Sequence, residues 1–285
     1  MKISIVIPTL NRPLKLNSCL KSLFLAINKN KVIDLEILII DQSDDSQTKN
    51  LCSNYVVNYF HNNVKGLSKA RNVGILNSKG EYILFLDDDI EVSSDYFYEL
   101  FNMIKNNKKV DAFTGKLINK DETSAYSRYQ NIKSTWINKN SFHIVLSSGT
   151  GIKRSYFEDV GKFDENFGIG EFYGGSEEAD LILRGLKKNK KIFFNSNLIS
   201  YHPAEISSLN FSISRFKRGF KYGKGRGALL KKHKKFLNLS SIITNLYMPF
   251  LGFFYNILFI KFDFALESLG SFFGRIFGFA HYKNK

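Results

Sequence analysis

The sequence predicts an α/β protein on a mainly parallel sheet, doubly wound with flanking helices, followed by an α-helical C-terminal extension. Over roughly the first 200 residues, short apolar runs alternate with segments of helical period, the pattern of a sheet covered on both faces. Several of those runs empty into polar or acidic residues at their carboxyl ends, where open α/β sheets bind ligands. Beyond that the chain becomes strongly basic and then uncharged and aromatic. The expected division is 1–205 for the sheet domain and 206–285 for the helical region.

The elements follow in order. Ile3 to Pro8 is an apolar run that reads as the first strand. Leu16, Cys19, Leu20, Leu23, Phe24 and Ile27 then recur at helical spacing, with Pro13 suited to that helix's first turn. Leu35 to Ile40 is a second strand ending at Asp41, and Val56 to Phe60 a third. A helical stretch from Ser68 to Asn77 precedes the strand Tyr82 to Leu86, and Phe97, Leu100, Phe101 and Ile104 mark the next helix. Asn119 to Ser141 is polar and aperiodic, which predicts a long substrate-shaping loop. Leu198 to Tyr201 reads as a strand running into His202.

A length of 285 residues, 44% hydrophobic and 24% charged, describes a folded chain rather than a disordered one. Two cysteines, Cys19 and Cys52, are too few for a disulfide framework or a thiolate metal site. No charged leader with an apolar segment and cleavage site is visible, so the expected location is cytoplasmic. Of the net +15, ten positive charges fall between Arg215 and Lys235, a stretch without an acid. Local basicity implies an anionic partner: a membrane surface, nucleic acid or a lipid-linked phosphate. Phe236 to Ile260 follows without a charge, interrupted by Asn238, Asn245, Pro249 and Asn256. The expectation is an interfacial helical hairpin at the inner face of the membrane, with a bilayer span or a helical pair packed on protein as alternatives.

Asp87, Asp88 and Asp89 stand together at the end of a buried strand. Adjacent carboxylates repel and are costly to bury without a cation, so they point to a divalent metal with oxygen ligands and, through it, a phosphate ester. Pro8, Thr9, Asn11 and Arg12 after the first strand, and Asp41 and Ser43 after the second, lie where a nucleotide could sit; each also reads as turn and capping chemistry. Lys69 and Arg71 near a helix start suit a base or a diphosphate, or a solvated helix face. Gly174-Gly175-Ser176 feeds a helix opening with Glu177, Glu178 and Asp180, acids that also favour the helix dipole, with Ser176 as N-cap. His202 is either a packed residue or a metal ligand.

Taken in order, these residues resemble the family-2 glycosyltransferases of the GT-A fold, nucleotide-sugar enzymes of bacterial surface-polysaccharide synthesis. The resemblance covers roughly residues 1–205. It rests on Ile5 through Arg12, Asp41, Gly66 through Gly74, Phe85 through Asp89, Gly161 through Phe167 and Glu177 through Arg184. It implies that Thr9, Asp41 and Arg71 hold the nucleoside, with Asp41 accepting from a uracil or thymine base. It also implies that Asp87 lies near the ribose, that Asp89 of the family's DXD motif binds Mn²⁺ or Mg²⁺ on the diphosphate with Asp88 adjacent, and that His202 is a further ligand. The family usually has Glu-Asp where this chain has Glu177-Glu178. Glu178 is the expected general base, with Glu177 and Asp180 as alternatives. Gly149, Thr150 and Gly151, and the insertion-like Glu171 and Tyr173, are expected beside the acceptor.

The implied activity is an inverting transfer from a UDP- or dTDP-sugar to a hydroxyl of a glycan or lipid-linked oligosaccharide. Two other classes compete. A nucleotidyltransferase would use the same sheet and aspartates, but no glycine-rich phosphate loop follows the first strand. A nucleic-acid-binding protein would use the basic stretch with Phe216, Phe220 and Tyr222 as stacking rings, yet would leave the aspartates without a role; no nucleic-acid partner is expected.

Overall fold

The computed structural model describes residues 2–30, 34–120, 127–203 and 212–283. Part of the expected loop (121–126), the start of the C-terminal region (206–211) and the last two residues lie outside them. The chain divides into two compact units, residues 1–163 with 184–204, and residues 164–183 with 205–285.

The first unit holds one nine-stranded sheet in the order β3-β2-β1-β4-β8-β6-β9-β5, with β7 paired to β9. β1 (Lys2–Thr9), β2 (Asp34–Asp41), β3 (Asn58–His61) and β4 (Tyr82–Phe85) run parallel. The register sets Thr9 opposite Asp41 and Val6 opposite Phe85, so three strand exits open along one edge. Ile3, Ile5, Val6 and Ile7 are fully enclosed, as an apolar run buried on both faces requires. The remaining strands are β5 (Glu91–Val92), β6 (Ala112–Asn119), β7 (Thr135–Trp136), β8 (Thr150–Lys153) and β9 (Ile192–His202). β8 runs antiparallel between β4 and β6, an exception within a sheet expected to be mainly parallel. β7 lies inside the segment expected to be loop throughout.

Helix α1 (Pro13–Lys29) begins at its proline and buries Leu16, Cys19, Leu20, Leu23 and Ala26 on the sheet. Cys19 and Cys52 are free and buried, as packing residues. Helices α2 (Gln47–Cys52), α3 (Leu67–Asn77), α4 (Tyr96–Asn106) and α5 (Arg154–Val160) complete the cover. α3 is tied down through Asn72, whose amide exchanges two 3.0 Å hydrogen bonds with the Phe163 backbone.

In the second unit, helix α6 (Glu177–Lys187) opens after the turn Gly174-Gly175-Ser176. Three longer helices follow: α7 (Ile213–Lys232), α8 (Leu239–Leu258) and α9 (Phe262–His281). α7 and α9 run parallel at backbone contact. A Cβ on Gly223 would stand 2.4 Å from the Ser271 carbonyl oxygen, and one on Gly274 2.2 Å from that of Phe220. Small residues at every fourth position let two backbones approach this closely. Another side of α7 meets the glycine turn, where a Cβ on Gly225 would lie 2.4 Å from the Gly175 carbonyl oxygen. Phe216 and Phe220 stack on one another, and Phe220 meets Phe277 of α9. These rings serve internal packing.

Candidate active site

Most of the first-unit candidate residues stand at a strand exit, on α3 or in the first turn of α1. After β4 the three aspartates point differently. Asp88 is 5% exposed; Thr9 Oγ1 donates to its Oδ2 at 2.8 Å, and Arg12 Nη1 lies 3.3 Å from its Oδ1. Burial pushes the Asp88 carboxyl up to about 6, against the pull of Thr9 and Arg12 and with the repulsion of Asp89 and Asp87. Its contacts bind the ends of β1 and β4 together.

Asp87 is held from α3 by Arg71, whose Nη2 donates to Asp87 Oδ1 at 2.8 Å from a side chain only 1% exposed. The Asp87 backbone N–H donates to Ser148 Oγ at 3.1 Å. Arg71 lies over the Phe163 ring, 5.6 Å from its centroid. An arginine this enclosed is retained where its charge is met by a carboxylate, so the cation that sequence places near the nucleoside acts here by fixing Asp87.

Asp89 lies within reach of three basic groups. Arg12 Nη1 and Lys15 Nζ are 3.4 and 3.2 Å from its Oδ2, and His202 Nε2 is 3.8 Å from its Oδ1. His202 Nδ1 lies 2.7 Å from the Pro203 carbonyl, which can only accept, so that nitrogen carries the proton. In the neutral ring Nε2 is then the lone-pair nitrogen, the form that ligates metal, facing a carboxylate at a separation too long for a hydrogen bond. Among the described residues no group of three His, Cys, Asp or Glu side chains surrounds a metal position. The donors that meet at this point are the Asp89 carboxylate and the His202 imidazole.

Asp41 is fully enclosed. Tyr59 OH donates to its Oδ2 at 2.8 Å and the Ser43 N–H to its Oδ1 at 2.9 Å. Ser43 Oγ accepts from the Asn11 N–H at 2.8 Å, with Asn11 at φ 54°, so these two residues serve the turn that joins the exits of β1 and β2. Pro8 is buried within β1.

The acceptor residues expected on β8 need correction. Thr150 is 3% exposed and its hydroxyl is spent on the Leu146 carbonyl at 2.5 Å. Gly151 lies flat under Phe113, whose ring would be 2.0 Å from a Cβ. Both are core positions, and Gly149, also buried, turns the chain into β8 at φ 80°.

In the second unit, Asp180 is fully buried with Lys232 Nζ at 2.7 Å and His233 Nε2 at 2.9 Å from its Oδ1. Lys232 also reaches Asp164 Oδ2 at 2.7 Å. This closed ion cluster ties α6 to α7. Glu177 is 3% exposed, whereas Glu178 is half-buried and the most accessible of the three. Ser176 stands at the N-cap position with φ 69°, outside the extended range usual for that role. Tyr173 stacks on Phe167 with centroids 5.4 Å apart and meets Tyr282 at 5.5 Å, so its ring packs the loop; Glu171 is half-buried beside it in sequence.

Sequence reasoning missed Lys15, Tyr59 and Ser148. Lys15 lies one helical turn beyond Leu10-Asn11 and could have been found as a cation in the first turn after the strand. Tyr59 and Ser148 carry no such local signal.

Residues 4–161 match the model of the family described as Glycosyl transferase family 2. Among curated proteins, the chain is 28% identical over 226 residues to a GalNAc(5)-diNAcBac-PP-undecaprenol beta-1,3-glucosyltransferase of Campylobacter jejuni, covering 75% of this chain and 69% of that one. It is 29% identical over 200 residues to the minor teichoic acid biosynthesis protein GgaB of Bacillus subtilis, covering 65% of this chain but only 21% of that protein. Among solved structures, S. aureus TarS 1-349 in complex with UDP-GlcNAc superposes with a TM-score of 0.58 at 15% identity, over 97% of this chain and 91% of that one. That likeness is one of fold. With the family model covering more than half of its length, and the strand-exit aspartates where that fold keeps its ligands, the chain belongs to glycosyl transferase family 2 and is a glycosyltransferase.

Proposed function

We propose that the protein transfers a sugar, with inversion and with the help of a divalent metal, from a UDP- or dTDP-sugar to a hydroxyl of a glycan or lipid-linked acceptor in surface-polysaccharide synthesis. The observation that carries this reading is the graded aspartate cluster: Asp88 sealed against Thr9, Asp87 fixed by Arg71, and Asp89 facing His202. The TarS complex with UDP-GlcNAc supports a uridine donor, and the undecaprenol-linked acceptor in the Campylobacter protein's name supports a lipid-linked one. A peripheral position at the cytoplasmic face of the membrane suits such an acceptor.

Thr9 and Asp41 would line the nucleoside site, with the enclosed Asp41 held by Tyr59 and Ser43. Asp87, locked by Arg71, would meet the ribose. Asp89 and His202 would hold Mn²⁺ or Mg²⁺, whose chemistry is to neutralise charge on the departing diphosphate. Arg12 and Lys15 add positive charge at the same place, so leaving-group stabilisation is shared with protein cations. Glu178 would take the proton from the acceptor hydroxyl, and a single carboxylate base is what direct displacement with inversion requires. Glu171 remains a candidate acceptor contact. The test is a panel of nucleotide sugars with Mn²⁺ or Mg²⁺ against a chelated control. Metal-dependent release of UDP or dTDP is expected; activity unchanged by chelation would remove the metal, and no turnover of any donor would remove the reading.

A further inference from the structure

Helix α8 is built inside out. Its contacts with α9 mix polar and small residues with aromatic rings: Asn256 Nδ2 donates to Ser268 Oγ at 3.1 Å, Gly252 lies against Ser268, the Asn245 carbonyl accepts from Arg275 Nη1, and Tyr247 and Phe250 meet Phe272. Much of its outer surface is large and apolar: Leu239, Leu251, Phe254, Tyr255 and Leu258 are each more than half exposed. A helix on a water-facing surface shows the opposite polarity, and an apolar face of this length is a site of interaction.

Charge selects what covers it. No acid occurs between Arg215 and Phe262, and the exposed Lys234 and Lys235 precede α8 while the exposed Lys261 follows it. A second copy seated on this face would bring those lysines together without a carboxylate to meet them, which opposes association. An anionic lipid surface supplies both what the lysines need and what the aromatic face needs. Orientation follows from the neighbours. α9 packs antiparallel along the whole of α8, from Arg275 beside Asn245, through Phe272 beside Phe250, to Phe264 beside Asn256. It also carries Asp263 and Glu267, paired with Arg215 and Arg218 of α7. Driving α8 across a bilayer would drag these groups into hydrocarbon.

We propose that the outer face of α8 docks onto an anionic phospholipid bilayer, with the helix lying in the headgroup–acyl boundary rather than crossing it. Such docking would serve the lipid-linked acceptor proposed above, yet vesicle binding is measured without sugar transfer, so either can fail alone. The experiment is sedimentation of the full chain with vesicles of phosphatidylglycerol and phosphatidylcholine, compared with phosphatidylcholine alone. Binding at least tenfold stronger to the anionic vesicles is expected. The L251E/F254E double variant should lose at least tenfold of it while keeping its circular dichroism, and L25E, an exposed leucine on α1, should lose none. Should the double variant fail to fold, the triple reversal K234E/K235E/K261E must abolish the preference for anionic lipid. A fluorophore on Leu251→Cys should be quenched more by shallow than by deep lipid quenchers. Undiminished binding by the double variant, absence of vesicle binding by the wild type, or a vesicle-free dimer dissociated by L251E/F254E would overturn the docking surface, and stronger deep quenching would overturn its orientation.

Discussion

Two charge clusters, one in each unit, use the same residue types to opposite ends. The aspartates after β4 form an open set: Asp88 is sealed, but Asp87 and Asp89 keep 31% and 12% of their side-chain surface, Asp87 paired with Arg71 at 2.8 Å and Asp89 near Arg12, Lys15 and His202 at 3.2 to 3.8 Å. The Asp180 cluster is closed, with Lys232 and His233 drawn to 2.7 and 2.9 Å and its carboxylate wholly inside. A buried pair of this kind contributes little net stability, yet removing one member strands the other. Open clusters can exchange a partner for a ligand, and closed ones can only hold position. The acids of α6 thus divide, with Asp180 fixing the helix and Glu178, half-buried, the one proposed above for chemistry.

The sharpest way to break that division is to neutralise each acid in turn. Glu178→Gln is expected to lower kcat by about 10² to 10⁴, the usual contribution of a general base, with donor affinity unchanged. Asp89→Asn should abolish metal-dependent transfer without altering the circular dichroism, and activity retained at saturating metal would point to another carboxylate. Asp180→Ala should behave otherwise: a loss of about 3–5 kcal/mol in stability, because the buried His233 loses the carboxylate it meets and Lys232 keeps only Asp164. If urea melts show no loss and turnover alone collapses, Asp180 is the base after all.

Asp88 offers a test by pH. Its carboxyl is raised from 3.8 to about 6, so the folded state holds the proton more tightly than the unfolded chain does. Stability from this group therefore falls as pH rises from about 4 to about 6, and stays reduced above. Asp88→Asn keeps an acceptor for Thr9 and escapes the penalty. Its stability advantage over the wild type should open across that window to at most about 3 kcal/mol, two pKa units' worth. A gap that is flat with pH would assign the burial cost elsewhere. The smallest effect is on the open cluster itself: UDP with Mn²⁺ at a hundredfold its Kd should stabilise the protein by about 2.7 kcal/mol. No shift with any nucleoside diphosphate would mean the cluster is not a donor site.

Much of this was legible in the sequence, for local reasons. β1, β2 and β4 announce themselves as apolar runs, and Thr9, Asp41 and Asp87 mark their exits. The α8–α9 pair is visible as two apolar stretches. The illegible parts depend on contacts distant in the chain. Periodicity does not carry strand direction, so β8 was indistinguishable from a parallel neighbour. The small residue at Gly151 looked like room for a substrate and is room for Phe113. Between Arg215 and Lys235 the lysines and arginines drew attention from Gly219, Gly223 and Gly227, which carry the packing on α9.

The glycine seams of α7 bear on how this protein is best made tractable in solution. Shortening the chain before α8 would remove the sticky apolar surface but also α9, leaving bare a helix whose backbone is shaped to be touched. The same α7 backs the Gly174-Gly175 turn from which the acidic helix starts, so a clipped protein would gain solubility at the expense of the segment presenting Glu178. Recolouring the outside of α8 with polar residues, while leaving its asparagine and glycine stripe alone, changes the solvent the protein prefers without loosening that support.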